Sequence, residues 1–172
     1  MRTLTEKRLR AVHSPLSPWW AYGACVAVQI VLAIRLPLMA DEAYYLAWSQ
    51  TLQTGYFDHT PMVAWLLAGV GHAPRLCAFL CLQLGILVLT LAAKRQAVKH
   101  WRWVPAIIMA TPLGLVGGTV YTPDGPLFLF WAVTVSGAIS NRTVITGLGL
   151  AGCMWSKLAI WPAVAGVVWQ MG

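Results

Sequence analysis

Asp41 and Glu42 stand side by side just after a long apolar run, and Asp58-His59 follows in the same polar segment. Asp124 occupies the turn Thr122-Pro123-Asp124-Gly125-Pro126 between two further apolar runs, and Lys157 interrupts the last one. Carboxylates accept protons and hydrogen bonds, a lysine neutralises an anion, and an adjacent Asp and His are part of a metal-ligand set. One Asp and one His are too few ligands for a divalent ion, so no metal or other cofactor is expected. Each group also has a structural reading. Acids in the first turn of a helix complement its macrodipole by about 0.3–1 kcal/mol. That suits Asp41 and Glu42, and also Asp124 if Thr122 is an N-cap and Pro123 the first helical residue. Asp58 falls in a turn, where aspartate is common.

The elements that position these groups are read from the apolar pattern. The 172 residues are 59% hydrophobic and 10% charged, against about 25% charged in soluble domains. A helix crossing a ~30 Å hydrocarbon core needs about 20 mostly apolar residues. The pattern predicts spans over residues 19–40, 75–93, 103–121 and 127–140. Residues 143–172 form one long helix or two shorter ones broken near Ser156-Lys157 and Pro162. The break is favoured, because a lysine at mid-span costs roughly 2.5–3.5 kcal/mol. The expected fold is all-α, a polytopic bundle of about five or six spans. Ten tryptophans and five tyrosines suit the headgroup region.

The net charge of +7 reads as topology. Arg2, Lys7, Arg8 and Arg10 precede the first span, and Lys94, Arg95, Lys99 and Arg102 separate two later ones, as the positive-inside rule requires. That distribution argues against a nucleic-acid partner. Cys25, Cys77, Cys81 and Cys153 lie in apolar segments and read as small packing residues. Residues 1–18 are then a cytoplasmic basic tail ahead of a membrane region over 19–172. Residues 41–74 form a first outer segment, and 122–126 a second outer loop. The first outer segment reads as an amphipathic helix, a turn and a second interfacial helix. Tyr44, Trp48 and Leu52 make one stripe of the first helix, suited to a membrane surface. Gly55 ends that helix, and Thr60-Pro61 reads as N-cap and first position of the next.

This topology gathers Asp41, Glu42, Asp58 and Asp124 on the non-cytoplasmic side with His59, Lys157 and Arg75. Glu6 is the one acid left on the other side. Ionisable groups from separate loops converging at a membrane boundary constitute a site hypothesis.

The stretches Asp41-Glu42-Ala43-Tyr44-Tyr45-Leu46-Ala47-Trp48-Ser49 and Gly55-Tyr56-Phe57-Asp58-His59-Thr60-Pro61-Met62-Val63-Ala64-Trp65 closely resemble the first outer loop of membrane glycosyltransferases with the C-type fold. These include the protein O-mannosyltransferases and bacterial relatives such as lipid A aminoarabinose transferases. Thr122-Pro123-Asp124-Gly125-Pro126-Leu127 and Gly147-Leu148-Gly149-Leu150, leading to Ser156-Lys157, match in order. The chain departs from the family at Thr60, often a second proline, and at Leu158, often aromatic. The resemblance covers the N-terminal part of the family's fold, and the chain reads as truncated relative to it.

The resemblance implies a sugar donor linked through phosphate to a polyprenol, and a lipid, glycan or protein acceptor on the outer face of a cell membrane, in bacteria the inner one. A polyprenyl phosphate leaves readily, whereas an acceptor hydroxyl needs a base within about 2.6–3.2 Å. Asp41 is the expected base and Glu42 its partner in orienting acceptor or sugar. Asp124 is expected to bind sugar hydroxyls. Lys157, and less directly Arg75, would stabilise the leaving phosphate, with Asp58 and His59 in the same substrate-binding loop. The alternative is a small non-catalytic membrane protein derived from that fold. In either case a second subunit or a C-terminal part would supply the missing wall of the donor groove. A transporter fits worst, since paired discontinuous helices in matching halves are lacking.

Overall fold

The computed structural model describes residues 17–158, together with residues 165, 166 and 169. The basic tail and most of the segment beyond Leu158 therefore lie outside the described residues. Helix α1 runs over Pro18–Arg35, α2 over Ala40–Ser49, α3 over Met62–Gly69 and α4 over Pro74–Arg95. A 3-10 turn, Trp101–Trp103, leads into α5 (Val104–Met109) and α6 (Pro112–Gly117), and α7 (Asp124–Ile139) and α8 (Thr143–Ser156) follow. The described residues are helical, with no strand among them.

Among the described residues two helices, α1 with 18 residues and α4 with 22, are long and apolar enough to cross a membrane. At a 1.5 Å rise per residue, α7 and α8 extend only about 24 and 21 Å, short of a ~30 Å core. Proline chemistry sets several of the boundaries. The first span was expected to reach residue 40, but α1 stops at Arg35 because Pro37 biases its predecessor away from helix; Leu36 is extended at φ −73°, ψ 139°.

The expected third span, residues 103–121, is not one helix. Pro112 lacks an N–H and its ring clashes with the carbonyl four residues back, so the helix breaks between Met109 and Pro112 and restarts as α6. Thr111 seals the break, its hydroxyl donating to the Ile108 carbonyl at 2.7 Å and accepting from the Gly114 N–H at 3.0 Å. A Cβ at Gly114 would collide with the Ile108 carbonyl, so the kink requires glycine there. The fully buried Gln29 of α1 donates to the Gly114 and Leu115 carbonyls at 3.1 and 3.3 Å. Gln83 of α4 donates to Gln29 Oε1 at 3.1 Å and accepts from the Tyr22 hydroxyl at 2.5 Å. A polar thread thus satisfies backbone acceptors that an apolar surrounding would leave costly.

The helix beginning at Thr143 ends at the first of the two expected break points, Ser156-Lys157, while the second, Pro162, lies outside the described residues. Helix α8 ends at Ser156, and Lys157 is extended at φ −160°, ψ 126°. Helices α7 and α8 form an antiparallel hairpin, turned through Asn141 at φ 53°, and small residues let their backbones approach. A Cβ on Gly149 would lie 2.6 Å from the Thr134 nitrogen, and one on Gly137 2.6 Å from the Thr146 nitrogen. Gly85 makes the same allowance for Phe128 where α4 meets α7.

These directions sort the charges. The Arg75 end of α4 lies beside the end of α1, since Arg75 bonds the Pro37 carbonyl. Its other end lies beside the end of α7, where Gln96 donates to the Ile139 carbonyl at 2.8 Å. Asp41, Glu42, Asp124 and Lys157 fall at the first end. Lys94 and Arg102 flank Trp101 at the second, 5.3 and 5.5 Å from its ring centroid.

The packing generates a paired prediction. Replacing Gly149 by Ala forces the hairpin apart and lowers stability by about 1–3 kcal/mol. Replacing Gly147, which has open space around it, raises helix propensity by up to about 1 kcal/mol. Thermal unfolding of the two detergent-solubilised variants measures the contrast.

Candidate functional site

The site is built on one buried carboxylate. The extended backbone after Pro37 delivers Met39 as N-cap of α2, which places Glu42 at the third helical position. Glu42 Oε2 accepts from the Met39 N–H at 3.0 Å and pairs with the Arg75 guanidinium at 2.8 Å. Its Oε1 accepts from the Tyr121 N–H at 3.0 Å. Arg75 also donates to the Thr119 and Pro37 carbonyls at 2.8 and 2.7 Å. Glu42 is 0% exposed. A charge this deeply buried persists only when paired and hydrogen-bonded, and here both oxygens are engaged. One contact set fixes the end of α1, the start of α2, the start of α4 and the segment before α7. Tyr121 extends it, its hydroxyl donating to the Val63 carbonyl of α3 at 2.7 Å.

Asp41, one residue earlier and so about 100° around the helix, points outward. Among the described residues its side chain makes no hydrogen bond and joins no ion pair. One turn on, at i+4, Tyr45 is buried, with its hydroxyl 3.3 Å from His59 Nε2. Burial, and then the charges of Asp41, Asp58 and Asp124, push the Tyr45 phenol up to about 12. Three carboxylates from separate segments thus act on one phenol, which stays a hydrogen-bond donor at neutral pH. Asp58 is exposed and takes a long contact from the Tyr44 hydroxyl at 3.4 Å. Trp48 stacks on Tyr56, centroids 4.3 Å apart and planes 10° apart, and packs edge-on to His59. The expected surface stripe is therefore divided: Trp48 faces inward to the loop and Tyr44 stays exposed, while Leu52, also exposed, lies beyond α2, which ends at Ser49 and not at Gly55.

Asp124 and Lys157, expected to serve sugar and phosphate separately, meet as an ion pair at 2.7 Å. Their side chains are 44% and 37% exposed, so the pair contributes roughly 0–1 kcal/mol and opens at little cost. Asp124 is the first residue of α7, with Pro123 at the N-cap, one position from the arrangement expected of Thr122. Thr60 likewise does not cap α3, whose N-cap is Pro61. Among the described residues no three His, Cys, Asp or Glu side chains gather as a metal set.

The geometry joins Asp41, Asp58, His59, Asp124 and Lys157 at one end of the bundle and commits Glu42 and Arg75 to holding that end together. Sequence reasoning missed Tyr45 and Tyr121. Tyr45 was legible as the residue one turn after Asp41; Tyr121 acts through its backbone N–H, which no residue type announces. It also missed a cavity beneath the loop, walled by Trp65 and Trp155.

Over 142 residues the chain is 28% identical to the lipid A galacturonosyltransferase RgtD of Rhizobium johnstonii, a match covering 73% of this chain and 30% of that protein. The chain thus spans less than a third of that relative's length, and the similarity supports a glycosyltransferase-like relationship. No family model matches the chain. No solved structure matches it.

Replacing Glu42 by Ala strands the Arg75 charge and the Tyr121 N–H. The expected loss is about 3–5 kcal/mol, the range for breaking a buried pair, seen as a lower unfolding temperature. Asp41→Ala, which removes no side-chain hydrogen bond or ion pair among the described residues, costs no more than the roughly 0.3–1 kcal/mol of a first-turn acid and lowers that temperature far less.

Proposed function

We propose that this chain forms the outer catalytic end of a glycosyltransferase that moves a sugar from a polyprenyl-phosphate donor to an acceptor on the non-cytoplasmic face of the membrane. The observation that carries the reading is Asp41, an exposed carboxylate without a partner among the described residues, held on the same short helix as the buried Glu42–Arg75 pair. A base needs a fixed position and a free oxygen, and this arrangement supplies both.

In the proposed step an acceptor hydroxyl oxygen bonds to the anomeric carbon. The bond from that carbon to the phosphate oxygen breaks, the hydroxyl proton passes to Asp41, and the electron pair leaves with the polyprenyl phosphate. Lys157 turns from Asp124 to the leaving phosphate, which the weak exposed pair allows at little cost. Asp124, released, accepts sugar hydroxyls, and Asp58 and His59 line the same end. Glu42 and Arg75 act by positioning α2. The membrane orientation belongs to this reading: tail 1–18 and the basic end inside, segments 41–74 and 122–126 outside. The similarity to a lipid A galacturonosyltransferase supports a lipid-linked glycan as acceptor. The span of the match, 30% of that protein, supports a further part of the enzyme completing the donor groove.

Purified protein, alone and with a co-expressed C-terminal part, is incubated with labelled polyprenyl-phosphate sugars and acceptor. Asp41→Asn is expected to abolish transfer without loss of insertion. Retained transfer removes the base assignment, and absence of transfer in every combination favours a non-catalytic membrane partner.

Orientation is checked separately by cysteine labelling. Cysteines at positions 58 and 124 are expected to react with an impermeant reagent from outside, and one at position 97 is not. Outside labelling at 97 reverses the topology.

A further inference from the structure

Beneath the first outer segment lies a cavity of about 400 Å³, lined by Thr54, Thr60, Trp65, Trp155 and Leu158 among others. Its volume falls within the roughly 300–1,000 Å³ of small-molecule sites. Trp65 and Trp155 meet edge to face, centroids 5.0 Å apart and planes at 78°, so they wall a right-angled corner. The Trp65 indole N–H is already spent on the Gln53 carbonyl at 2.9 Å, which leaves this ring with its π face to offer. The Thr60 hydroxyl is enclosed by protein yet has no hydrogen-bond partner among the described residues, and such a group costs free energy until one arrives. Lys157, paired with Asp124, lies in the chain between the lining residues Trp155 and Leu158, and Asp58 stands two residues before Thr60.

We propose that this corner is a sugar subsite that seats a pyranose ring, an assignment that rests on the glycosyltransferase reading and names where the glycosyl group is held. A pyranose has one face of C–H groups, slightly positive and apolar, which matches the negative face of an indole. Its rim of hydroxyls matches the unpartnered Thr60 oxygen. The charge balance points the same way. With Glu42 on Arg75 and Asp124 on Lys157, Asp41 and Asp58 outweigh the exposed Arg35 at the end of α1 and leave this end of the bundle negative by one charge. That favours a neutral polyol, whose hydroxyls donate to carboxylates, over a second anion held in the corner itself. An isoprenoid chain would fill the apolar walls but would leave the Thr60 hydroxyl unsatisfied.

The test is saturation-transfer NMR with the detergent-solubilised chain and methyl α-galactopyranoside, which requires no turnover. Transfer to the ring C–H protons is expected. It should fall about tenfold in Trp155→Ala, whose half-exposed indole is removable without unfolding. A similar fall is expected in Thr60→Val, which keeps shape but loses the hydroxyl. The far-end variant Trp20→Ala should be unchanged. No transfer to the wild-type chain overturns the proposal, as does equal transfer in both cavity variants. Saturation transfer to the isoprenoid protons of farnesyl monophosphate that is lost in Trp155→Ala, with glycoside transfer unchanged in that variant, assigns the corner to a lipid chain and also overturns it. Failure of the transfer assay above with glycoside binding intact removes the enzyme reading and leaves the subsite standing.

Discussion

A single buried carboxylate organises the acidic end of this bundle. Glu42 accepts from two backbone N–H groups and one guanidinium, and these belong to three separate parts of the chain. An ionised group with no exposure is tolerable only when every strong acceptor direction is filled. The requirement therefore works as a geometric lock: the end of α1, the start of α4 and the strand-like approach to α7 must all arrive together for the charge to be stable. The same lock sets the angle of α2, and through it the direction in which Asp41 and Tyr45 point.

Lower in the bundle the constraint is different. Apolar surroundings give helices no hydrophobic reason to associate, so close approach and internal hydrogen bonds must hold them. The α7–α8 hairpin uses glycines opposite threonines. The α1–α4–α6 region uses the Tyr22–Gln83–Gln29 thread, which ends on carbonyls of the short helix beyond the Pro112 break. Both devices leave outward-facing apolar side chains unconstrained, consistent with the exposed Trp20, Ile34, Val144 and Leu148.

The acidic end thereby divides its acids by environment. Glu42 is buried and fully engaged; Asp124 is half-exposed in a weak pair; Asp41 and Asp58 face outward. Like groups in unlike surroundings are suited to unlike roles: Glu42 ties the structure together, Asp124 sits in a pair that opens at little cost, and Asp41 has no side-chain partner among the described residues. Tyr45, buried among three of these charges with its phenol held protonated, gives the cluster a rigid donor at its centre. The aromatic stack of Trp48 on Tyr56 closes the loop around it.

Much of this was legible in the residues. The all-helical class, two of the long apolar helices, the opposing acidic and basic ends and the end of α8 before Lys157 follow from composition, charge placement and the cost of a lysine in hydrocarbon, all local properties of the chain. The expected bundle of five or six spans is not shown: among the described residues two helices are long and apolar enough to cross a membrane. Pro37 and Pro112 carried the information that shortened α1 and split the 103–121 segment, but apolar periodicity alone overrode it in the reading. The roles of the acids were not legible. Asp41 and Glu42 are adjacent and chemically alike, and only the arrival of Arg75 and Tyr121 from distant segments makes one a buried tie and leaves the other free. The pairing of Asp124 with Lys157 and the Trp65–Trp155 corner have the same origin. They are contacts between residues 33 and 90 positions apart, set by how α3, α7 and α8 pack, and packing partners are a property of the folded chain as a whole.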